Sequence, residues 1–127
     1  MIVVDTSALM AIVLDEPAAQ GCIDALAANQ EILISAGTVA ESLIVAERRK
    51  RREEMMNLID MLGLDPIPVT PASAHRMGEA YRRWGKGIHP AGLNFGDCFA
   101  YVLAKEYACG LLYVGKDFSK TDVRSVL

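Results

Sequence analysis

Met1-Ile2-Val3-Val4-Asp5-Thr6-Ser7 opens on four apolar residues, three of them β-branched, and then turns polar at once. Such a run is long enough for a buried strand and too short for a helix. Asp, Thr and Ser are residues that cap helices, and Ala8 to Leu14 behind them is uninterruptedly apolar. The opening reads as strand, acid, helix. Working outward, the unit recurs. Asp15-Glu16-Pro17 ends the first helix and opens a second, with Ala18, Cys22, Leu26 and Ala27 on one side. Glu31 to Ser35 is a second buried strand, and Ala36-Gly37-Thr38 starts a helix that runs through Glu41 into the basic stretch Arg48 to Arg52. Met55, Leu58, Ile59 and Leu62 recur at helical steps.

The second half follows the same plan. Asp65 to Val69 holds two prolines, which suits an edge strand only. Pro71 opens a helix to about Trp84, Gly85 to Gly92 is an exposed Gly/Pro-rich loop, and Gly96-Asp97 begins a helix that stops near Gly110. Leu111 to Val114 is a strand, and Val123 to Leu127 reads as a last short one. Strands alternating with helices argue for a parallel sheet covered on both faces. The expectation is one domain over residues 1–127, a three-layer α/β/α sandwich around a mostly parallel sheet.

At 127 residues and 52% hydrophobic content the chain can bury a core without disulfides or structural metals. Disorder, collagen-like repeats and a protein marked as nucleic-acid-binding by overall basicity are excluded by the composition. The net charge of −3 conceals an arrangement. Residues 1–47 carry seven acids and no Lys or Arg; residues 48–86 carry nine bases against five acids. Cys22, Cys98 and Cys109 sit among apolar neighbours at spacings that fit no zinc pattern, so they read as reduced, buried thiols in a cytoplasmic protein. The start of the chain is a poor signal peptide, and its longest apolar run is too short to span a bilayer.

Ligand sites in open parallel sheets lie beyond the carboxyl ends of strands, where strand order reverses. Four acids fall there: Asp5 after the first strand, Glu41 in the helix after the second, Asp97 at the start of the helix before the Leu111 strand, and Asp117 just past that strand. They converge if the first and fourth strands are neighbours. Gathered carboxylates repel, and a hard divalent cation such as Mg²⁺ or Mn²⁺ relieves the repulsion through oxygen ligands. A metal held by oxygens alone suits phosphodiester chemistry. Each acid also has a plainer role: Asp5 and Asp97 as helix caps, Glu41 as a first-turn acid, Asp117 as a turn residue.

Ile2-Val3-Val4-Asp5-Thr6-Ser7-Ala8-Leu9 resembles the opening motif of PIN-domain ribonucleases, particularly the VapC toxins of bacterial toxin–antitoxin pairs. Thr38-Val39-Ala40-Glu41, Leu93 to Tyr101 and Asp117-Phe118 resemble the family's later acidic motifs, in order and over essentially the whole chain. The resemblance implies that Asp5 and Asp97 ligate Mg²⁺ and that Glu41 and Asp117 complete a catalytic cluster. Thr6 then hydrogen-bonds a carboxylate or a metal-bound water. Many members carry their fourth acid two residues before the Asp-Phe pair, where Gly115 stands here, and Asp122 is a second candidate for that place. The resemblance further implies an endoribonuclease leaving a 5′-phosphate, an RNA substrate for which tRNA and rRNA are both candidates, a cognate antitoxin protein and a homodimer. The apolar stretches Ala8 to Leu14 and Met55 to Leu62 serve either the dimer or the core.

Arg48, Arg49, Arg82, Arg83 and Lys86 are the candidate contacts to RNA phosphates, with Trp84 a candidate for stacking on an unpaired base and His89 a surface residue or RNA contact. The plainer alternatives are a solvated helix end for the basic run and a packing role for Trp84. An aspartate-nucleophile phosphatase needs a second Asp two residues after the first, and Ser7 stands there. The remaining alternative is a non-catalytic PIN-like module that binds RNA or a partner, a class expected to lose one or more of Asp5, Glu41 and Asp97.

Overall fold

The computed structural model describes all 127 residues. Strand β1 (Ile2–Val4) lies inside the sheet, pairing in parallel with β2 (Ile32–Ser35) on one side and β4 (Gly110–Leu112) on the other. The two-residue β3 (Pro66–Ile67) closes the far edge beside β2, so the order is β3-β2-β1-β4 and every pairing is parallel. Both prolines of the Asp65–Val69 stretch thus fall at or beside an edge, where a missing N–H costs least. The order reverses between β1 and β4. The sheet therefore has its crevice at the carboxyl end of β1, where Asp5 stands.

Strand residues alternate between two cores, as the period of a pleated strand requires. Ile2, Val4, Ile34 and Leu112 join a cluster built with α1 (Thr6–Val13), α2 (Ala19–Ala27), α3 (Ala36–Arg48) and α4 (Arg52–Met61). Val3 and Leu111 face the opposite cluster, formed with α5 (Pro71–Trp84) and α6 (Phe95–Glu106). This is the three-layer α/β/α sandwich expected. Ala8, Leu9, Met10 and Ala11 of α1 and Met55, Leu58 and Ile59 of α4 are buried in the core, while Met56 and Met61 of α4 stay exposed. Each fully buried Leu or Met contributes roughly 1.5–3 kcal/mol. Cys22, Cys98 and Cys109 are free thiols. No helix is long and apolar enough to cross a membrane.

Three local expectations need correction. The basic run does not continue the Glu41 helix: α3 ends at Arg48, Lys50 takes a left-handed conformation (φ 57°), and α4 begins at Arg52. Val123 to Leu127 forms no strand, only a single bridge between Ser125 and Leu111. The segment from Gly85 to Gly92 is no simple exposed loop either. Gly85 bridges Leu93, while Ala91 and Leu93 are buried.

Candidate active site

Two acids of the proposed cluster, Asp5 and Asp97, are placed by helix starts, Glu41 by the second turn of α3 and Asp117 by the turn after β4. Asp5 N-caps α1: its Oδ2 accepts the Ser7 N–H (3.0 Å) and the Ser7 hydroxyl (2.7 Å). Ser7 Oγ in turn accepts the Val114 N–H (3.0 Å), which ties the end of β1 to the chain leaving β4. Asp97 is the third residue of α6 and forms a reciprocal capping box with Asn94: its Oδ2 accepts the Asn94 N–H, and Asn94 Oδ1 accepts the Asp97 N–H. The plainer capping roles of both residues are therefore real. They leave a remainder. Asp5 Oδ1 is buried without any hydrogen-bond partner, and such an orphan costs about 1–3 kcal/mol unless something else satisfies it.

Glu41 is held from two directions. The Thr6 hydroxyl donates to its Oε1 (2.5 Å), and the fully buried Ser42 hydroxyl donates to Thr6 (3.1 Å). Gly96, in the first turn of α6, leaves the space this carboxylate occupies; a Cβ at that position would collide with it. Gly37 does the same for the ring of Phe99. Neither glycine stood out in the sequence, although a glycine in a helix's first turn beside a candidate acid is a signal of close approach.

The electrostatics follow from this crowding. Burial lifts the Asp5 carboxyl to about 6, opposed by the Ser7 hydrogen bonds and reinforced by the charge of Glu41. Burial lifts Asp97 further, to about 7; the Asn94 N–H opposes this, and the negative charges of Asp5, Asp117 and Glu41 add to it. The charges that act most strongly on Asp97, those of Asp5, Asp117 and Glu41, are negative. None of the ion pairs in the protein involves any of the four acids. Asp117 is exposed in the turn after β4, near enough to be felt at Asp97.

The other candidates separate from this cluster. Asp122 accepts the Tyr101 hydroxyl (2.7 Å) and the Lys105 ammonium (3.2 Å), and Arg83 lies at 3.6 Å. Although partial burial opposes it, these partners lower its carboxyl below the ordinary value. Asp122 is thus engaged elsewhere and does not stand in for Gly115. Trp84 is buried: its Nε1 donates to Tyr101, Arg83 covers its ring at 4.4 Å, and His89 meets it edge-on at 4.7 Å. It has no free face for a base. His89 also accepts the Ala91 N–H and is a loop brace.

The basic residues are exposed but dispersed. Arg48 lies seven residues beyond Glu41 on α3, about 10 Å along the axis. Arg49 and Lys50 occupy the turn that follows, Arg51 and Arg52 approach Glu54 and Glu47, and Arg82 approaches Glu79. Lys86 shares a groove with Asn94 and Phe95, at the start of the helix that carries Asp97.

No three His, Cys, Asp or Glu side chains close around a point as a ready-made cage. Mg²⁺ seldom needs one, since it is commonly bound through one or two carboxylates, waters and substrate phosphates. The residues present fit such an ion: an orphaned buried oxygen on Asp5, a second buried carboxyl on Asp97 beside the negative charges of Asp5, Asp117 and Glu41, and donors that are all oxygen.

The sequence profile described as PIN domain matches residues 2–124. The chain is 39% identical over 127 residues to the VapC ribonuclease Mb0640 of Mycobacterium bovis, covering 98% of this chain and 97% of that one. It is 41% identical over 129 aligned residues to the ribonuclease VapC of Mycolicibacterium smegmatis, with 98% of each covered. Among solved structures, Mycobacterium tuberculosis VapC20, described as a sarcin-ricin loop cleaving toxin, superimposes with a TM-score of 0.81 at 15% identity, over 99% of this chain and 98% of that one. A toxin–antitoxin complex from Klebsiella pneumoniae gives 0.69 at 16% identity, over 96% and 93%. At such identities these two likenesses concern the fold. The profile match and the near-full-length relatives place the chain in the PIN-domain family, among the VapC ribonucleases.

Proposed function

We propose that this protein is a Mg²⁺-dependent endoribonuclease, the toxin of a toxin–antitoxin pair, acting in the cytoplasm on RNA phosphodiester bonds at the crevice between β1 and β4. The observation that carries the reading is the buried, partnerless Oδ1 of Asp5, in a cluster where burial and the negative charges of Asp5, Asp117 and Glu41 raise the Asp97 carboxyl. Fixing such an arrangement costs stability, and a phosphodiesterase site is what makes use of it. Relatives at 39–41% identity that bear the name ribonuclease support the same reading.

Asp5 and Asp97 would hold the Mg²⁺, with Mn²⁺ suited to the same oxygens. When bound, the ion supplies positive charge to the scissile phosphate and acidifies a water. The protein's own part is placement. Ser7 fixes one Asp5 oxygen and leaves the other free, and Asn94 holds one oxygen of Asp97. Thr6 and Ser42 aim the carboxylate of Glu41, which is positioned to take a proton from the attacking water. Asp117, exposed at the mouth, orients water from the open side. In-line attack leaves a 5′-phosphate on the downstream fragment. Arg48, Arg49, Arg82, Arg83 and Lys86 contact backbone phosphates away from the acids, which positions RNA without reading its sequence.

A cognate antitoxin, a partner in keeping with the fold likeness to a toxin–antitoxin complex, would cover the acidic crevice. An arginine offered by it satisfies the same carboxylates that otherwise hold the ion. A homodimer belongs to the same proposal.

Incubating total RNA with the protein in Mg²⁺ and in EDTA, beside Asp5→Asn, tests the reading. Cleavage confined to Mg²⁺ and lost in the variant is expected. Metal-independent cutting, or full activity in Asp5→Asn, overturns the mechanism, and tight RNA binding without any cleavage points to the non-catalytic module.

A further inference from the structure

Trp84 was a candidate either to meet a base or to pack, and the fold packs it. The ring it leaves in the open is Phe95. This residue is 74% exposed, the most exposed aromatic side chain among the large hydrophobics, although it is the first residue of α6 and stands two positions before Asp97. Its ring meets that of Phe99 edge to face, with centroids 5.0 Å apart and planes at 82°. Phe99 in turn rests on Gly37 at the start of α3, the helix of Glu41, and Gly96 between the two rings in sequence is the residue on which the Glu41 carboxylate lies. The exposed ring is thus anchored from below by the same helix starts that build the acidic cluster.

Phe95 also borders a groove of about 790 Å³, within the range of small-ligand sites. Met77, Tyr81 and Phe99 contribute apolar surface to it, and Lys86 and Asn94 are its polar members. Tyr81 is 40% exposed, and its hydroxyl donates to the Lys86 carbonyl (3.2 Å), which steadies the segment that carries the ammonium. An apolar floor, an upright aromatic ring and one cation beside a phosphodiesterase centre match the chemistry of a nucleotide: a base with two π-faces and a phosphate with negative charge. Lys86 is the one charged residue of the lining, with no acid beside it there, which suits a phosphate.

We propose that Phe95 is a stacking platform for an unpaired base of the RNA flanking the scissile phosphate, with the groove between α5 and α6 receiving that nucleotide and Lys86 its phosphate. This inference rests on the ribonuclease reading and extends it to a residue outside the acidic set. Stacking accepts every base, so the subsite selects for single-stranded or splayed RNA rather than for sequence.

The test uses Phe95→Leu, which keeps apolar bulk and removes the π-face, and Phe95→Trp, which enlarges it. Both substitutions sit on an exposed side chain, so thermal melts should match the parent. Cleavage of a single-stranded RNA in Mg²⁺ is followed, together with fluorescence of RNAs that carry 2-aminopurine at one position in turn. Phe95→Leu should raise KM by about 5- to 100-fold, the equivalent of one lost base stack, with kcat little changed. The parent and Phe95→Trp should quench 2-aminopurine at one or two adjacent positions, and Phe95→Leu should not. Parental KM and quenching in Phe95→Leu overturn the inference and leave the ribonuclease reading intact. A fall in kcat at constant KM assigns Phe95 a structural role instead, and a changed elution volume with normal RNA binding assigns the groove to a second copy or partner; either overturns it. Failure of the unsubstituted protein to bind or cut RNA removes the ribonuclease reading and this one together.

Discussion

Helix α6 serves two groups of acidic side chains, and they are built on opposite principles. At its first turn Asp97 meets Asp5, Glu41 and Asp117, and its carboxyl is driven up to about 7, by burial first and like charge next. One to two turns further on, Tyr101 and Lys105 of the same helix receive Asp122, and Arg83 of α5 completes the ring; there the carboxyl is driven down. Asp122 has the signature of structure, a charge met by donors that pins the C-terminal segment to α6. Asp5 and Asp97 have the signature of work to be done: caps satisfy one oxygen, and the surroundings penalise the rest. The difference shows why proximity in sequence to a motif does not make an acid catalytic. What its neighbours compensate does.

The largest effect should come from removing the charge of Asp97 while keeping its cap. Asp97→Asn is expected to reduce cleavage about 10²–10³-fold, the scale of losing one preorganised electrostatic partner. It should also raise the melting temperature of the metal-free protein at about pH 8. Asp5 and Asp97 bind protons more tightly in the folded chain than their unfolded value of 3.8. The contribution of these two groups to metal-free stability is therefore fully present below about pH 4 and is lost as pH rises through about 6 to 7. Asp97→Asn should flatten this slope, and a variant less stable than the parent at pH 8 would break the contrast. Asp122→Ala is next. It strips the acceptor from Tyr101 and the partner from Lys105 and should cost about 1–2 kcal/mol by denaturant titration, with cleavage per folded molecule unchanged. A large loss of cleavage would move Asp122 into the site. The smallest effect is expected from Arg48→Ala or Arg49→Ala. Each should lower RNA affinity a few-fold and reduce the slope of log affinity against log salt by about 0.7, as for one phosphate contact on a single strand. An unchanged slope would leave the basic run as solvated surface.

Much of the arrangement was legible in the residues. An apolar run closed by Asp5 and capping side chains could only be a strand feeding a helix, and repetition of that unit implied the parallel sheet. The convergence of the four acids depended on β1 and β4 being neighbours, which their pairing supplies. What escaped the sequence had physical causes. Arg48 to Arg52 has good helix propensity throughout, and nothing in five cations announces that Lys50 takes a left-handed turn usually given to Gly or Asn. Val123 to Leu127 has strand-like residues but forms one bridge only. Trp84 takes the plainer of its two expected roles, because a tryptophan at a helix end can bury its ring and still satisfy its N–H on Tyr101, and no local signal in the sequence marked Phe95 as the exposed ring.

The bond from the Val114 N–H to Ser7 has a consequence for the order in which activity appears during synthesis. The first residues made carry Asp5, and Glu41 follows early, yet the oxygen that fixes Asp5 is braced by a strand end more than a hundred residues later. Asp97 and Asp117 arrive later still than Glu41. A nascent chain that has completed β1, β2 and α3 still lacks half of these acids and the strand that closes the crevice. On the mechanism proposed above, the cutting edge is assembled last, and a chain interrupted before Asp97 lacks two of its four acids.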